Sequence, residues 1–149
     1  MAHETLKLEL FLPYRLNRLA EAVSRDFARL YKERYGLTRP EWRLLAALGQ
    51  YGTMTATAVA AHSAMHKTKV SRAVSALETR GWLSRTADSR DRRIEHLELA
   101  RPGLAAYRNL VPLANAYETR LLARLSDDER RALLTGLSAI ERAGLSRPR

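Results

Sequence analysis

Cysteine is absent from the 149 residues, so the chain can form no disulfide, no thiolate metal site and no thiol-based oxidation sensor. Missing too is any apolar run approaching the ~20 residues that span a bilayer. The start, Met1-Ala2-His3-Glu4, lacks the basic, apolar and small-residue succession of a secretory signal, so the expected location is the cytoplasm, with no membrane partner. There is no Gly-x-Ser-x-Gly elbow, no phosphate-binding glycine loop and no His-Glu-x-x-His metal helix, so the sequence shows no foothold for catalysis and calls for no cofactor. Other carboxylates and histidines do not fill the gap. Asp127 and Asp128 are adjacent on a helix, point apart and suit its first turn through the helix dipole, while a turn separates His62 from His66.

Acidic residues are few beside basic ones. There are 16 Asp and Glu against 26 Lys and Arg, a formal charge of +10, which favours a polyanionic partner, nucleic acid or an anionic membrane, through counterion release. A membrane-surface protein would carry a dense Lys and Arg face along one amphipathic helix. Between His66 and Arg93, instead, eight Lys or Arg stand against three Asp or Glu, a net +5 and half of the chain's charge within one short stretch.

What is present in abundance is helical periodicity. With 46% apolar residues the chain can bury one core, and a single domain over 1–149 is expected. Leu12, Leu16, Leu19, Val23, Phe27 and Leu30 mark one stripe of a long helix, with Pro13 in its first turn and Gly36 at its end. Thr38 and Glu41 read as a capping box for a helix through Trp42, Leu45 and Leu48. A short Ala-rich helix follows from Thr55 to His62, then a turn over Ser63 to His66 and a longer helix with Val70, Val74 and Leu77 inward, stopped by Gly81.

Trp82 to Thr86 and Ile94 to Leu99 read as the strands of a hairpin with a basic tip, Ala87 to Arg93. A helix from Arg101, bent at Pro112, and a last helix opened by Ser126 and Glu129 complete the chain, with a frayed tail at Ser146 to Arg149. The fold class is therefore mainly α with a small β-hairpin wing (α+β): a winged helix-turn-helix domain over about 38–100, between terminal helices at about 10–36 and 101–144.

In that arrangement the helix from Lys67 enters the major groove. Short side chains such as Thr68 and Ser71 allow close approach to base edges, and Lys67, Lys69 and Arg72 reach phosphates or guanine N7 and O6. A nonspecific architectural DNA binder would carry the same charge and is the alternative reading.

The stretch Met65-His66-Lys67-Thr68-Lys69-Val70-Ser71-Arg72-Ala73-Val74-Ser75-Ala76-Leu77-Glu78-Thr79-Arg80-Gly81-Trp82 resembles the recognition helix of the MarR family of bacterial regulators, with its Leu-Glu-x-x-Gly ending. Asp88-Ser89-Arg90-Asp91-Arg92-Arg93 is similar to that family's wing motif, and Leu97-Glu98-Leu99 with Gly103 to the strand and helix start that follow. The resemblance covers nearly the whole chain. It implies that Thr68, Lys69, Ser71 and Arg72 face the major groove and that Arg90 or Arg92 enters the minor groove, while Asp91 and Arg93 either brace the wing or form a plain exposed ion pair. Two positions depart from the family pattern: His66, where an acidic or small polar residue is usual and to which no special role is assigned, and Ala100, where a hydroxyl residue is usual.

The resemblance also implies a homodimer on a palindromic operator in double-stranded DNA, half-sites being roughly 10 base pairs apart. The apolar surplus at Phe11, Leu121, Leu122, Leu125, Leu133 and Ile140 would line the dimer interface, although periodicity alone equally allows a monomeric helical layer. It implies, further, a repressor of a catabolic, efflux or stress operon released by a small aromatic or phenolic anion. Such a ligand needs a guanidinium and aromatic walls, which Tyr14, Arg15, Trp42 and Arg43 offer; the same aromatics also suit a core or interface, and the arginines a solvated surface.

Overall fold

The computed structural model describes residues 3–144, which divide after Gly36 into two compact units. The tail from Ser146 to Arg149 lies outside the described residues. In the first unit a 3-10 turn, Leu8–Leu10, leads into α1, Leu12–Tyr35, with Pro13 in the first turn as the periodicity predicts. Gly36 ends α1 in the left-handed region (φ 65°), a conformation glycine adopts without a Cβ clash, and its N–H donates to the Lys32 carbonyl at 2.8 Å. Leu12, Leu16, Leu19 and Val23 form an exposed apolar row on α1.

The second unit begins with α2, Arg39–Tyr51. Its capping box is complete: Glu41 N–H donates to Thr38 Oγ1 at 3.3 Å, and Thr38 N–H donates to Glu41 Oε2 at 2.9 Å. Next come β1, Met54–Thr55, then α3, Ala56–Ser63, and α4, Lys67–Thr79. Thr55 caps α3 as expected, accepting from Ala58 N–H at 3.1 Å. The α3–α4 turn passes through Ala64 in the left-handed region (φ 51°), the sole described non-glycine residue there.

The hairpin consists of β2, Leu83–Ala87, and β3, Glu95–Leu99. Both strands start one residue later than the alternation predicts. Trp82 is held in the turn after α4, its N–H donating to the Leu77 carbonyl at 2.9 Å, and Ile94 is held in the tip, its N–H donating to the Asp91 carbonyl at 3.0 Å. A third strand was not expected: β1 pairs antiparallel with β3 (Met54 opposite Leu97), giving the order β1-β3-β2. Two residues are too short to show alternation, and their pairing is entirely non-local.

Leu44, Leu45 and Leu48 of α2, Val59 of α3, and Val70, Val74 and Leu77 of α4 meet Leu83 and Leu97 of the sheet in one buried core. Each such side chain contributes roughly 1.5–3 kcal/mol on burial. α5, Arg101–Leu122, closes this core with Leu110 and continues as one helix through Pro112, whose ring removes the donor for the carbonyl four residues earlier. Gly103 permits the close seam between α5 and the base of the hairpin, because a Cβ there would lie 2.3 Å from the Trp82 carbonyl oxygen. α6, Asp127–Arg142, opens with the predicted capping box of Ser126 and Glu129, but packs extensively on no other element among the described residues, leaving Leu133, Leu134 and Leu137 exposed.

Candidate nucleic-acid interface

α4 has two faces. Val70, Ala73, Val74 and Leu77 are buried, which fixes the rotation of the helix and turns Lys67, Thr68, Lys69, Ser71 and Arg72 to solvent. His66 starts the helix as its N-cap, the ring Nδ1 accepting from Thr68 N–H at 3.2 Å. That assigns His66 a capping role the sequence reading withheld, one that places the first two exposed residues of the helix.

The wing tip, residues 88–94, is organised by two carboxylates. Asp88 Oδ2 accepts from the N–H groups of Arg90 and Asp91 at 2.9 and 3.0 Å, while Oδ1 pairs with His96 Nε2 at 2.9 Å. Asp91 grips Arg93 in a fork, Nε to Oδ1 and Nη2 to Oδ2 both at 3.1 Å, and also accepts from Arg93 N–H at 3.0 Å. Both carboxyls are held below the usual carboxylate range, Asp88 chiefly by the His96 hydrogen bond and Asp91 chiefly by Arg93. The guanidiniums of Arg90 and Arg92 have no hydrogen bond or ion pair among the described residues and stand exposed at the tip.

Arg85 on β2 ties the wing to α4. Its Nε donates to Glu78 Oε2 at 3.1 Å and its Nη2 to Ser75 Oγ at 3.3 Å, both on α4, while Nη1 donates to Glu95 Oε2 on β3 at 3.3 Å. The Glu78 hydrogen bond raises the Arg85 pKa still further, against a smaller opposing effect of burial. Between α4 and the wing lies an open cleft of about 540 Å³ whose floor includes Val70 and Leu97 and whose rim carries Lys67, Ser71, Arg85 and Arg93. An apolar floor under cations and a hydroxyl suits a polyanion lying along the rim.

Residues 35–94 match the model of the MarR family. The crystal structure of a MarR family transcriptional regulator from Silicibacter pomeroyi DSS-3 shares 32% identity over 91% of this chain and 98% of its own, with a TM-score of 0.76. The chain belongs to the MarR family. A curated relative, an uncharacterized HTH-type transcriptional regulator of Bacillus subtilis (strain 168), is 28% identical over 103 residues, 69% of this chain and 60% of that protein's length. BpsR of Bordetella bronchiseptica, solved in a study of how 6-hydroxynicotinic acid regulates its DNA binding, has the same fold at 22% identity, with a TM-score of 0.78 over 93% of this chain and 98% of its own.

In this MarR-family chain the structure brings five of the sequence-derived DNA residues, Lys67, Thr68, Lys69, Ser71 and Arg72, onto one exposed helix, with Arg90 and Arg92 on the wing of the same unit. The four residues suggested for a ligand fall in different units. Tyr14 and Arg15 line a shallow groove of about 290 Å³ on the first unit with Glu9, Arg18 and Leu19, and Trp42 and Arg43 sit half-buried on α2 in the second. Arg85, Asp88 and His96 are the structural contributors the sequence reading missed. The three-residue spacing from Asp88 to Asp91 was a readable turn signal, whereas the contacts of Arg85 and His96 depend on strand register. Among the described residues, no group of three or more His, Asp or Glu could hold a metal ion, and no helix is long and apolar enough to cross a membrane.

Proposed function

We propose that this chain is a sequence-specific DNA-binding regulator of transcription that acts as a homodimer on a palindromic operator. The observation that carries the reading is the rotation of α4: four buried apolar residues turn Lys67, Thr68, Lys69, Ser71 and Arg72 outward together, beside a wing whose Arg90 and Arg92 are uncommitted. Thr68 and Ser71 approach base edges, Arg72 donates to guanine, Lys67 and Lys69 take phosphates, and the wing arginines reach the minor groove. The exposed apolar row of α1 and that of α6 each supply surface to the dimer interface, since rows of exposed apolar side chains mark a protein partner. The three segments 10–36, 38–100 and 101–144 then serve as dimerising, DNA-reading and dimerising parts of one functional domain.

Regulation is repression of a catabolic, efflux or stress operon, relieved by a small aromatic acid. The regulation of BpsR by 6-hydroxynicotinic acid supports this choice of ligand class. Tyr14 and Arg15 on α1, and Trp42 and Arg43 on α2, are the residues to test singly for that acid. The reading itself is tested by selecting bound duplexes from a random DNA pool at near-physiological salt, where specific and nonspecific affinities differ by about three or more powers of ten. A palindrome with half-sites about one helical turn apart is the expected product. Binding without a motif, fading uniformly with salt, would replace it with the architectural role.

A further inference from the structure

The wing tip presents two free arginines, and the amides of Arg90 and of Asp91, which lies between the two, are held by one side chain at the base of the tip. Asp88 spends one oxygen on the amides of Arg90 and Asp91 and the other on His96, and its own N–H donates to the Ile94 carbonyl at 2.8 Å. Four connections thus converge on one residue at the junction of β2 and the tip. His96 in turn sits on the central strand, opposite Thr86 of β2 and Thr55 of β1. Thr55 is also the N-cap of α3, so the hold on the tip continues into the helix-turn-helix frame.

We infer that Asp88, oriented by His96, is the positioning residue that sets the DNA contacts of Arg90 and Arg92. The inference rests on the DNA-binding function proposed above. Its physical basis is entropic: a seven-residue exposed tip without its Asx-type hydrogen bonds samples many backbone states, and each arginine must be re-ordered when DNA binds. A carboxylate accepting from three donors removes that cost beforehand. Asp91 cannot substitute, because both its oxygens are committed to Arg93.

The test uses the full chain and a duplex recovered from the random-pool selection, with two readouts. In the free protein, Asp88→Ala should speed amide exchange at Arg90 and Asp91 while leaving α4 and the melting temperature unchanged. Asp88→Asn, which keeps an acceptor oxygen but not the charge, should fall between the wild type and Asp88→Ala; His96→Gln, which keeps a donor, should stay near the wild type, and His96→Leu should follow Asp88→Ala. On DNA, the double variant Arg90→Ala/Arg92→Ala should lose about tenfold or more in affinity. Asp88→Ala should lose most of that factor, and combining all three substitutions should weaken binding no further than the double variant alone. If the double variant weakens binding but Asp88→Ala does not, or if the losses multiply, the positioning role is wrong and the DNA-binding function stands. If the double variant binds as tightly as the wild type, the wing contact and the positioning role fall together.

Discussion

α4 and the wing both face the proposed DNA, yet opposite physics holds them in place. α4 is fixed from behind by Val70, Ala73, Val74 and Leu77, four buried side chains with no directional requirement beyond fit. The wing tip buries nothing comparable and is shaped by hydrogen bonds from Asp88 and Asp91 in partly exposed surroundings. Apolar burial ties an element to the stability of the whole domain, whereas a hydrogen-bonded tip can loosen while the core stays folded. Arg85 is the joint between the two regimes, with two contacts on α4 and one on β3.

The largest effect should come from attacking the packed side. Leu77 is fully buried on the inner face of α4, so Leu77→Ala should cost about 2–5 kcal/mol by lost burial and the cavity left behind. Chemical denaturation followed by helix signal and by a wing probe should show both lost in one shifted transition. A wing that stays folded after α4 is lost would break the contrast at its strongest point.

Gly103 tests the seam where the hairpin base meets α5. A methyl group there would press on the Trp82 carbonyl oxygen, which also accepts from Ala100 N–H at 2.8 Å, and backbone on both sides must move to relieve it. Gly103→Ala should destabilise by about 1–3 kcal/mol, the range for overpacking a tight contact. Because Trp82 immediately precedes β2, the expected signature is faster amide exchange through the base of the hairpin, with α2 unaffected. Uniformly faster exchange throughout would show the seam to be part of the common core.

A smaller effect of opposite sign is available three residues earlier. α5 has Ala100 at its N-cap with extended backbone (φ −74°, ψ 168°) and no side-chain cap. A threonine hydroxyl there can accept from one of the first free helix amides, so Ala100→Thr should stabilise the domain by about 1 kcal/mol, seen as a higher melting temperature. No gain would mean that α5 is already held fully by its packing.

How much of this could be read from the sequence follows the same contrast. Interactions within a few residues were legible: both capping boxes, the cap at Thr55 and the inward stripe of α4 all depend on local spacing, while the Asp91–Arg93 pair came with the family resemblance. β1 was not legible, because two residues carry no period and their partner, β3, lies some forty positions away. The contacts of Arg85 with Glu78 and Glu95, and of His96 with Asp88, were hidden for a related reason. They require the hairpin register and the rotation of α4 together, which no single window of sequence contains. The exposed rows on α1 and α6 were visible as stripes, but a stripe does not say whether its partner is the same chain or another.

The smallest perturbation should isolate the wing altogether. Asp88 and Asp91 have carboxyls lowered by their partners, so the ionised forms stabilise the folded tip. For a depressed folded value, that stabilisation is complete above the ordinary aspartate value of about 4 and is lost as the pH falls through the lower folded values. Acidification from pH 5 toward pH 2 should therefore release the amides of Arg90, Asp91 and Arg93, which donate to these two carboxylates, before the α4 amides change. Amide exchange or proton–nitrogen spectra across that range provide the measurement. Asp88→Asn should remove the Arg90 and Asp91 part of the response while leaving that of Arg93, because the Asp91 fork does not involve Asp88. If instead α4 and the wing titrate together, the hydrogen-bonded tip is not an independent unit, and the two sides of the interface must be treated as one cooperative surface.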